Sequence, residues 1–250
     1  MEEMIAGKHS VMEALRSGRT IHKIWIAEQA QKHQTAAIIA EAKKQQVVVQ
    51  MVDKRKLDQL VSDVPHQGIV AQAAAHDYVE VGDLLERARA RGETPFLLIL
   101  DEIEDPHNLG SILRSADCTG VHGVIIPKRR SVGLTATVSK ISAGAVEYVP
   151  VARVTNIAQT IESLKQEGIW VAGATVDANQ LVYDADLKMP LAIVIGNENQ
   201  GIGRLIKEKC DFLVKLPMAG RINSLNASVA ASVLMYEVVR QRGAVSPTNG

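Results

Sequence analysis

Near-continuous apolar runs recur through the later part of the chain, at residues 96–100, 123–126, 170–174, 191–195 and 212–216. A short run without polar alternation marks a strand covered on both faces. Helical periodicity fills the spaces between them, at 108–118, 157–166 and 205–209, and a longer helix over 225–240 comes last. Strands alternating with helices predict an α/β fold, a mostly parallel sheet with helices on both faces. Aromatic residues make up 3% of the chain, so that sheet must be packed with Ala, Val, Ile and Leu.

The first 75 or so residues read as a smaller α/β unit, with a helix at 11–15, strands at 23–27 and 47–52, a helix at 35–45 and a closing strand at 68–75. A short charged helix at 84–91 then leads into the break Arg91-Gly92-Glu93-Thr94-Pro95. The predicted organisation is a small domain over 1–76, a linker over 77–94, a large domain over 95–243 and a flexible tail over 244–250. The formal net charge is zero, which excludes a global basic field, so any nucleic-acid binding must come from local patches. The two cysteines, Cys118 and Cys210, form no CxxC pair, which suits a reducing compartment and argues against a thiolate zinc cluster. The first residues lack a signal-peptide pattern, and no apolar run approaches the roughly 20 residues that span a bilayer, so the cytoplasm is the expected location and no membrane partner is expected.

Three polar segments follow predicted strands, where open α/β sheets bind ligands. The first runs Asp105-Pro106-His107-Asn108-Leu109-Gly110-Ser111-Ile112-Leu113-Arg114. Asp105 can cap the coming helix and Pro106 suits its first turn. Leu109, Ile112, Leu113 and Ala116 share a core face, leaving His107, Ser111 and Arg114 on the other side, where Arg114 also reads as an ordinary solvated charge. The second runs Val194-Ile195-Gly196-Asn197-Glu198-Asn199-Gln200-Gly201-Ile202, followed by Gly203. It has the glycine spacing of a phosphate loop, but Ile202-Gly203 stands where Lys and Ser/Thr belong, and Glu198 would repel phosphate. A plain strand–helix turn is the alternative reading. The third runs from Leu216 through Ser228, with Asn223 or Ser224 as the natural N-cap of the last helix. Capping explains one of its polar residues but not the cluster of Asn223, Ser224, Asn226 and Ser228.

In this order, the three segments resemble the three motifs of the TrmH (SpoU) branch of the SPOUT superfamily, RNA 2′-O-ribose methyltransferases. The resemblance covers about residues 95–243. Residues 7–11 and 68–71 resemble the small L30e-like domain that precedes the catalytic domain in many members. Within the family, the chain is most similar to bacterial enzymes that methylate a guanosine ribose in 23S ribosomal RNA.

The resemblance implies a deep trefoil knot formed around Gly196 and residues 216–226, S-adenosylmethionine as methyl donor with no metal, and a homodimer acting on RNA rather than DNA. It places cofactor contacts at Thr175, Gly196, Leu216 and Leu225, and catalytic positions at Asn108, Arg114, Glu198 and Asn226. A guanidinium keeps its proton under ordinary conditions, so Arg114 is expected to bind an RNA phosphate and stabilise negative charge, with Asn108 orienting it and Glu198, water or an unusually placed Arg114 assisting proton removal. Lys8, His9, Arg16, Arg19 and Lys23 in the small domain, and Lys128-Arg129-Arg130 in the large one, are candidate phosphate contacts. The alternatives are the same chemistry on a transfer RNA, a non-catalytic RNA-binding or assembly factor, and a nucleotide hydrolase using the 196–201 loop.

Overall fold

A computed structural model describes residues 2–61 and 64–243, without the side chains of 32–34. The chain begins with β1 (Glu2–Ala6), α1 (Lys8–Arg16), β2 (Ile21–Ala27), α2 (Lys32–Lys44), β3 (Val48–Val52), α3 (Lys54–Leu60) and β4 (Ile69–Ala74). It continues with α4 (Val81–Arg91), β5 (Phe96–Asp101), α5 (Pro106–Cys118), β6 (Gly123–Pro127), α6 (Ala136–Ile141), β7 (Val151–Val154), α7 (Ile157–Gln166) and β8 (Trp170–Ala174). The last elements are β9 (Gln180–Leu181), β10 (Leu191–Gly196), α8 (Arg204–Lys209), β11 (Phe212–Lys215) and α9 (Ala227–Arg242).

These elements form two compact units, Met1–Asp77 with Gly133–Tyr148, and Tyr78–Val132 with Val149–Gly250. The first unit holds a four-stranded sheet in the order β1-β4-β2-β3. Val11, Leu15, Ile38 and Ala42 of its helices pack on Ile24, Ile26 and Ala71, while Leu57 of α3 packs with Trp25 and Val70. The second unit holds a seven-stranded sheet in the order β7-β6-β5-β10-β8-β11-β9, with every pairing parallel. Every residue of β5 is buried, as a central strand covered on both faces requires. The five predicted apolar runs are β5, β6, β8, β10 and β11.

The domain boundaries differ from the expectation in two places. Residues 77–94 do not form a free linker, because α4 buries Leu84, Leu85 and Ala88, the two leucines in one core cluster with Leu97, Ile99 and Ile161. Its charges lie on the outer face of an amphipathic helix, which mimics a linker in composition. Residues 133–148 belong to the first unit despite their place in the sequence. Tyr148 donates to Glu13 at 2.6 Å, Ser10 donates to the carbonyl of Ser139 at 3.2 Å, and Arg19 pairs with Glu147 at 2.9 Å. Arg19 also pairs with Glu3 at 2.6 Å and its side chain is 8% exposed. That removes Arg19 from the candidate phosphate contacts, since two carboxylates already hold its charge. The tail over 244–250 lies outside the described residues.

The end of α9 is tied into the second unit by Gln241, which bonds the backbone of Ala185 and Leu187, and above all by Arg242. Arg242 donates to the carbonyls of Thr94, Pro95, Met189 and Leu187, and stacks 5.3 Å from the centre of the Phe96 ring. Arg242→Ala removes a donor from all four carbonyls, of which that of Pro95 keeps the Leu191 N–H. It is expected to cost about 2 kcal/mol, read as a fall of about 4–8 °C in the melting temperature by circular dichroism.

Candidate functional site

The site is assembled at the C-terminal edge of the second unit's sheet. β5 and β10 run parallel and end together, with Gly196 opposite Asp101. Beyond β5, Glu102 turns the chain with φ 58°. Asp105 then caps α5 by accepting the His107 N–H at 2.8 Å, with Pro106 in the first turn. Leu109, Ile112, Leu113 and Ala116 are buried as their spacing requires, and Asn108 is buried with them at 5% exposure.

Beyond β10 the chain folds back on itself. The Asn197 side chain accepts the N–H groups of Asn199 and Gln200, and its carbonyl accepts that of Gly201. Gly201 has φ +65°, a conformation that favours glycine. Gly196 lies so close to this turn that a Cβ there would sit 2.1 Å from the carbonyl carbon of Gly201. Ile202 anchors the loop in the core at 2% exposure. The Gly203 N–H donates to Asp101 Oδ2 at 2.9 Å.

Beyond β11, residues 218–225 are exposed and make no hydrogen bond among the described residues. The N-cap of α9 is Asn226, not Asn223 or Ser224 as expected: its Oδ1 accepts from the N–H groups of Ser228 and Val229. The preceding run stays extended and irregular, which moves the helix start two or three residues later than capping chemistry alone suggests.

With its oxygen spent on the cap, the Asn226 amide nitrogen is free to donate elsewhere. It donates to Glu198 Oε1 at 2.7 Å and to Asn108 Oδ1 at 2.9 Å. The Asn108 amide nitrogen donates to the same Glu198 oxygen at 2.7 Å, and the Ala227 N–H reaches it at 3.3 Å. An ionised carboxylate only accepts, which fixes the orientation of both amides. Glu198 Oε2 has no partner among the described residues. Three of the four predicted catalytic residues thus form one hydrogen-bonded cluster drawn from α5, the glycine loop and the start of α9. Asn108 engages Glu198 and Asn226 and does not orient Arg114. Arg114 is exposed, separated from Asn108 by more than a helical turn, and makes no hydrogen bond or ion pair among the described residues.

A cavity of about 370 Å³ opens beside the cluster. All four predicted cofactor positions line it: Thr175, Gly196, Leu216 and Leu225. Ala174, Ile195 and Leu234 add apolar wall, and Glu198 stands at its rim. Among the lining residues that sequence reasoning missed are Asp177 and Lys207. Asp177 accepts from Thr175 and from Lys207 at 3.0 Å, and these hydrogen bonds, that from Thr175 foremost, hold its carboxyl below the usual range. The signal for Asp177 was its place just past β8, at the same sheet edge. Lys207 carries no local signal. Among the described residues, no group of His, Cys, Asp and Glu is placed to hold a metal ion. No described helix is long and apolar enough to cross a membrane.

The pattern described as the SpoU rRNA Methylase family matches residues 95–236, and that described as RNA 2′-O ribose methyltransferase substrate binding matches residues 4–79. The chain is 56% identical over 243 residues to YacO of Bacillus subtilis (strain 168), covering 97% of each. It is 54% identical over 243 residues to a Staphylococcus haemolyticus protein, again covering 97% of each. Both relatives are named for the TrmH family of tRNA/rRNA methyltransferases, a name that leaves both kinds of RNA open. In structure, the chain is similar to the SpoU methyltransferase AviRb from Streptomyces viridochromogenes, solved with AdoMet. The TM-score is 0.80, with 96% of this chain and 90% of that one covered. At 24% identity this is a likeness of fold. The chain belongs to the SpoU (TrmH) family of RNA 2′-O-ribose methyltransferases.

Proposed function

We propose that this chain uses S-adenosylmethionine to methylate the ribose 2′-hydroxyl of a guanosine in 23S ribosomal RNA, acting as a cytoplasmic homodimer. The observation that carries the reading is the Asn108–Glu198–Asn226 cluster at the rim of a cavity with apolar walls and free backbone groups.

The cavity suits the cofactor on its own chemistry. Its size falls in the range of small-molecule sites. The unbonded backbone of 218–225 offers donors and acceptors to an adenine and to an amino-acid end. Lys207 is taken up by Asp177 and Glu198 stands at the rim, an arrangement that disfavours a nucleoside triphosphate and tolerates a cation. Thr175, Gly196, Leu216 and Leu225 would hold the group, and when bound it supplies an electrophilic methyl on a positively charged sulfur. The knotted path implied by the resemblance involves the two segments that wall this cavity, at Gly196 and at 216–226.

The chain's part is alignment and one proton. Asn108, Asn226 and the Ala227 N–H hold Glu198 Oε1 and leave Oε2 to accept the proton of the ribose hydroxyl. Arg114 binds an RNA phosphate with its planar fork. It does so in the partner's site. Support for this comes from its position outside the cluster and from the face beside it. Ser115 of α5 meets Ser232 of α9 at 2.8 Å, and α9 exposes Val229, Val233 and Tyr236 in one apolar stripe. Lys8 and His9 of the first unit, and Lys128 and Arg129 of the second, supply further phosphate contacts. Arg16 pairs with Glu13, Lys23 stacks over Trp25 and Arg130 pairs with Glu102, so these three contribute less.

Arg114→Lys keeps the charge and removes the fork. Turnover is expected to fall roughly tenfold or more, with S-adenosylmethionine affinity by calorimetry unchanged within about twofold. Near-wild-type turnover would exclude any role that needs the fork. For the reading as a whole, methyl transfer from labelled cofactor is measured side by side on 23S ribosomal RNA and transfer RNA. Label confined to transfer RNA would replace the substrate while keeping the chemistry.

A further inference from the structure

Asp101 is outside the cluster, yet both arms of the site grow from it. It ends β5 opposite Gly196, where it is 8% exposed. Burial pushes its carboxyl up, and the hydrogen bond from Gly203 works against that rise. Gly203 opens α8 and, as a glycine, has no side chain with which to cap it. The carboxylate accepting its N–H comes from 102 residues earlier in the chain. On one side, Asp101 is followed by the left-handed turn at Glu102 and then by Asp105, which caps the helix carrying Asn108. On the other side, it holds the far end of the loop carrying Glu198.

We propose that Asp101 is a positioning residue for methyl transfer: by holding the Gly203 N–H it fixes the 197–203 loop and the place at which Glu198 meets Asn108 and Asn226. This rests on the reading of the site given above. Without the hydrogen bond, the loop keeps Ile202 as its anchor but loses its attachment to β5, so the Glu198 carboxylate samples positions away from the two amides. The defect is one of alignment, which lowers turnover more than RNA binding.

The test separates the hydrogen bond from the charge and from folding. Asp101→Ala removes the acceptor. Gly203→Pro removes the donor, and the Gly203 φ of −56° suits proline; its Cδ takes the place of the N–H and pushes the Asp101 carboxylate aside. Asp101→Asn keeps a carbonyl acceptor at the same place. Amide hydrogen exchange across 197–203 in the free protein and kcat on RNA are both measured. Asp101→Ala and Gly203→Pro should each speed exchange about tenfold and lower kcat about tenfold, with KM for RNA held within about twofold. Asp101→Asn should stay within about threefold of wild type on both counts. The double variant Asp101→Ala/Gly203→Pro should be no worse than either single one, since both delete the same bond.

Unaltered exchange in Gly203→Pro, faster exchange with unaltered kcat, or an Asp101→Asn variant as impaired as Asp101→Ala would each overturn the proposal. If Asp101→Ala does not fold, Gly203→Pro decides the matter. Exchange is read without RNA or cofactor, so a chain that methylates no RNA defeats the reading of the site while the pinning of the loop is still decided.

Discussion

Gly196→Ala is expected to weaken the binding of S-adenosylmethionine by roughly tenfold to hundredfold while the rest of the chain stays folded. The added Cβ would lie 2.1 Å from the carbonyl carbon of Gly201, 2.2 Å from its oxygen and 2.3 Å from the nitrogen of Ile202. All three are backbone atoms, so no side-chain rotation relieves the overlap. Either β10 shifts against β5 and β8, or the 197–201 turn is pushed outward. The second is the cheaper response, because β10 is bonded on both edges while the turn is exposed. The turn forms a wall of the cavity, and moving it takes Glu198 away from Asn108 and Asn226. Overpacking costs of about 1–3 kcal/mol correspond to roughly a tenfold to hundredfold loss of affinity. Calorimetric titration with S-adenosylmethionine reads this directly, and wild-type affinity would mean that the glycine turn does not shape the site.

Glu198→Ala and Glu198→Gln are expected to lower kcat by about 100-fold or more. The alanine variant strips the acceptor from two amides and one backbone N–H, and leaves the buried Asn108 amide short of a partner, at a cost of about 1–3 kcal/mol. Some of its defect is therefore structural. The glutamine variant is the sharper test, since its amide oxygen can still accept from Asn108 and Asn226, but it cannot take up the ribose proton. Single-turnover kinetics with saturating cofactor should show both variants slow, with the glutamine variant melting close to wild type. A glutamine variant with near-normal turnover would reduce Glu198 to scaffolding and move the proton to another acceptor.

The parts of this protein that were legible in its sequence are those written in local patterns. β5, β6, β8, β10 and β11 announce themselves because strands buried on both faces need unbroken apolar runs. The Asp105 cap and the core face of α5 follow from spacing. What stayed hidden depends on distance along the chain or on short, charged elements. Glu2 and Glu3 mask β1, and β9 has two residues. The packing of 133–148 with the first unit rests on pairings such as Tyr148 with Glu13, 135 residues apart. For the site, the three motif segments could be placed at strand ends. Their convergence on one carboxylate oxygen could not be read, nor could the choice of Asn226 over Ser224 as cap. That choice matters chemically, because capping with its oxygen is what points the Asn226 amide nitrogen at Glu198.

Methyl transfer to a ribose is read by mapping the modified position. Purified protein is incubated with labelled S-adenosylmethionine and with unmodified 23S ribosomal RNA, and the product is digested to nucleosides and mapped for 2′-O-methyl groups. Label is expected on the 2′-oxygen of a guanosine in that RNA, and is lost in the Glu198→Gln protein. Label on a base, or no label on any RNA from a protein that binds the cofactor, would contradict methyl transfer to a ribose.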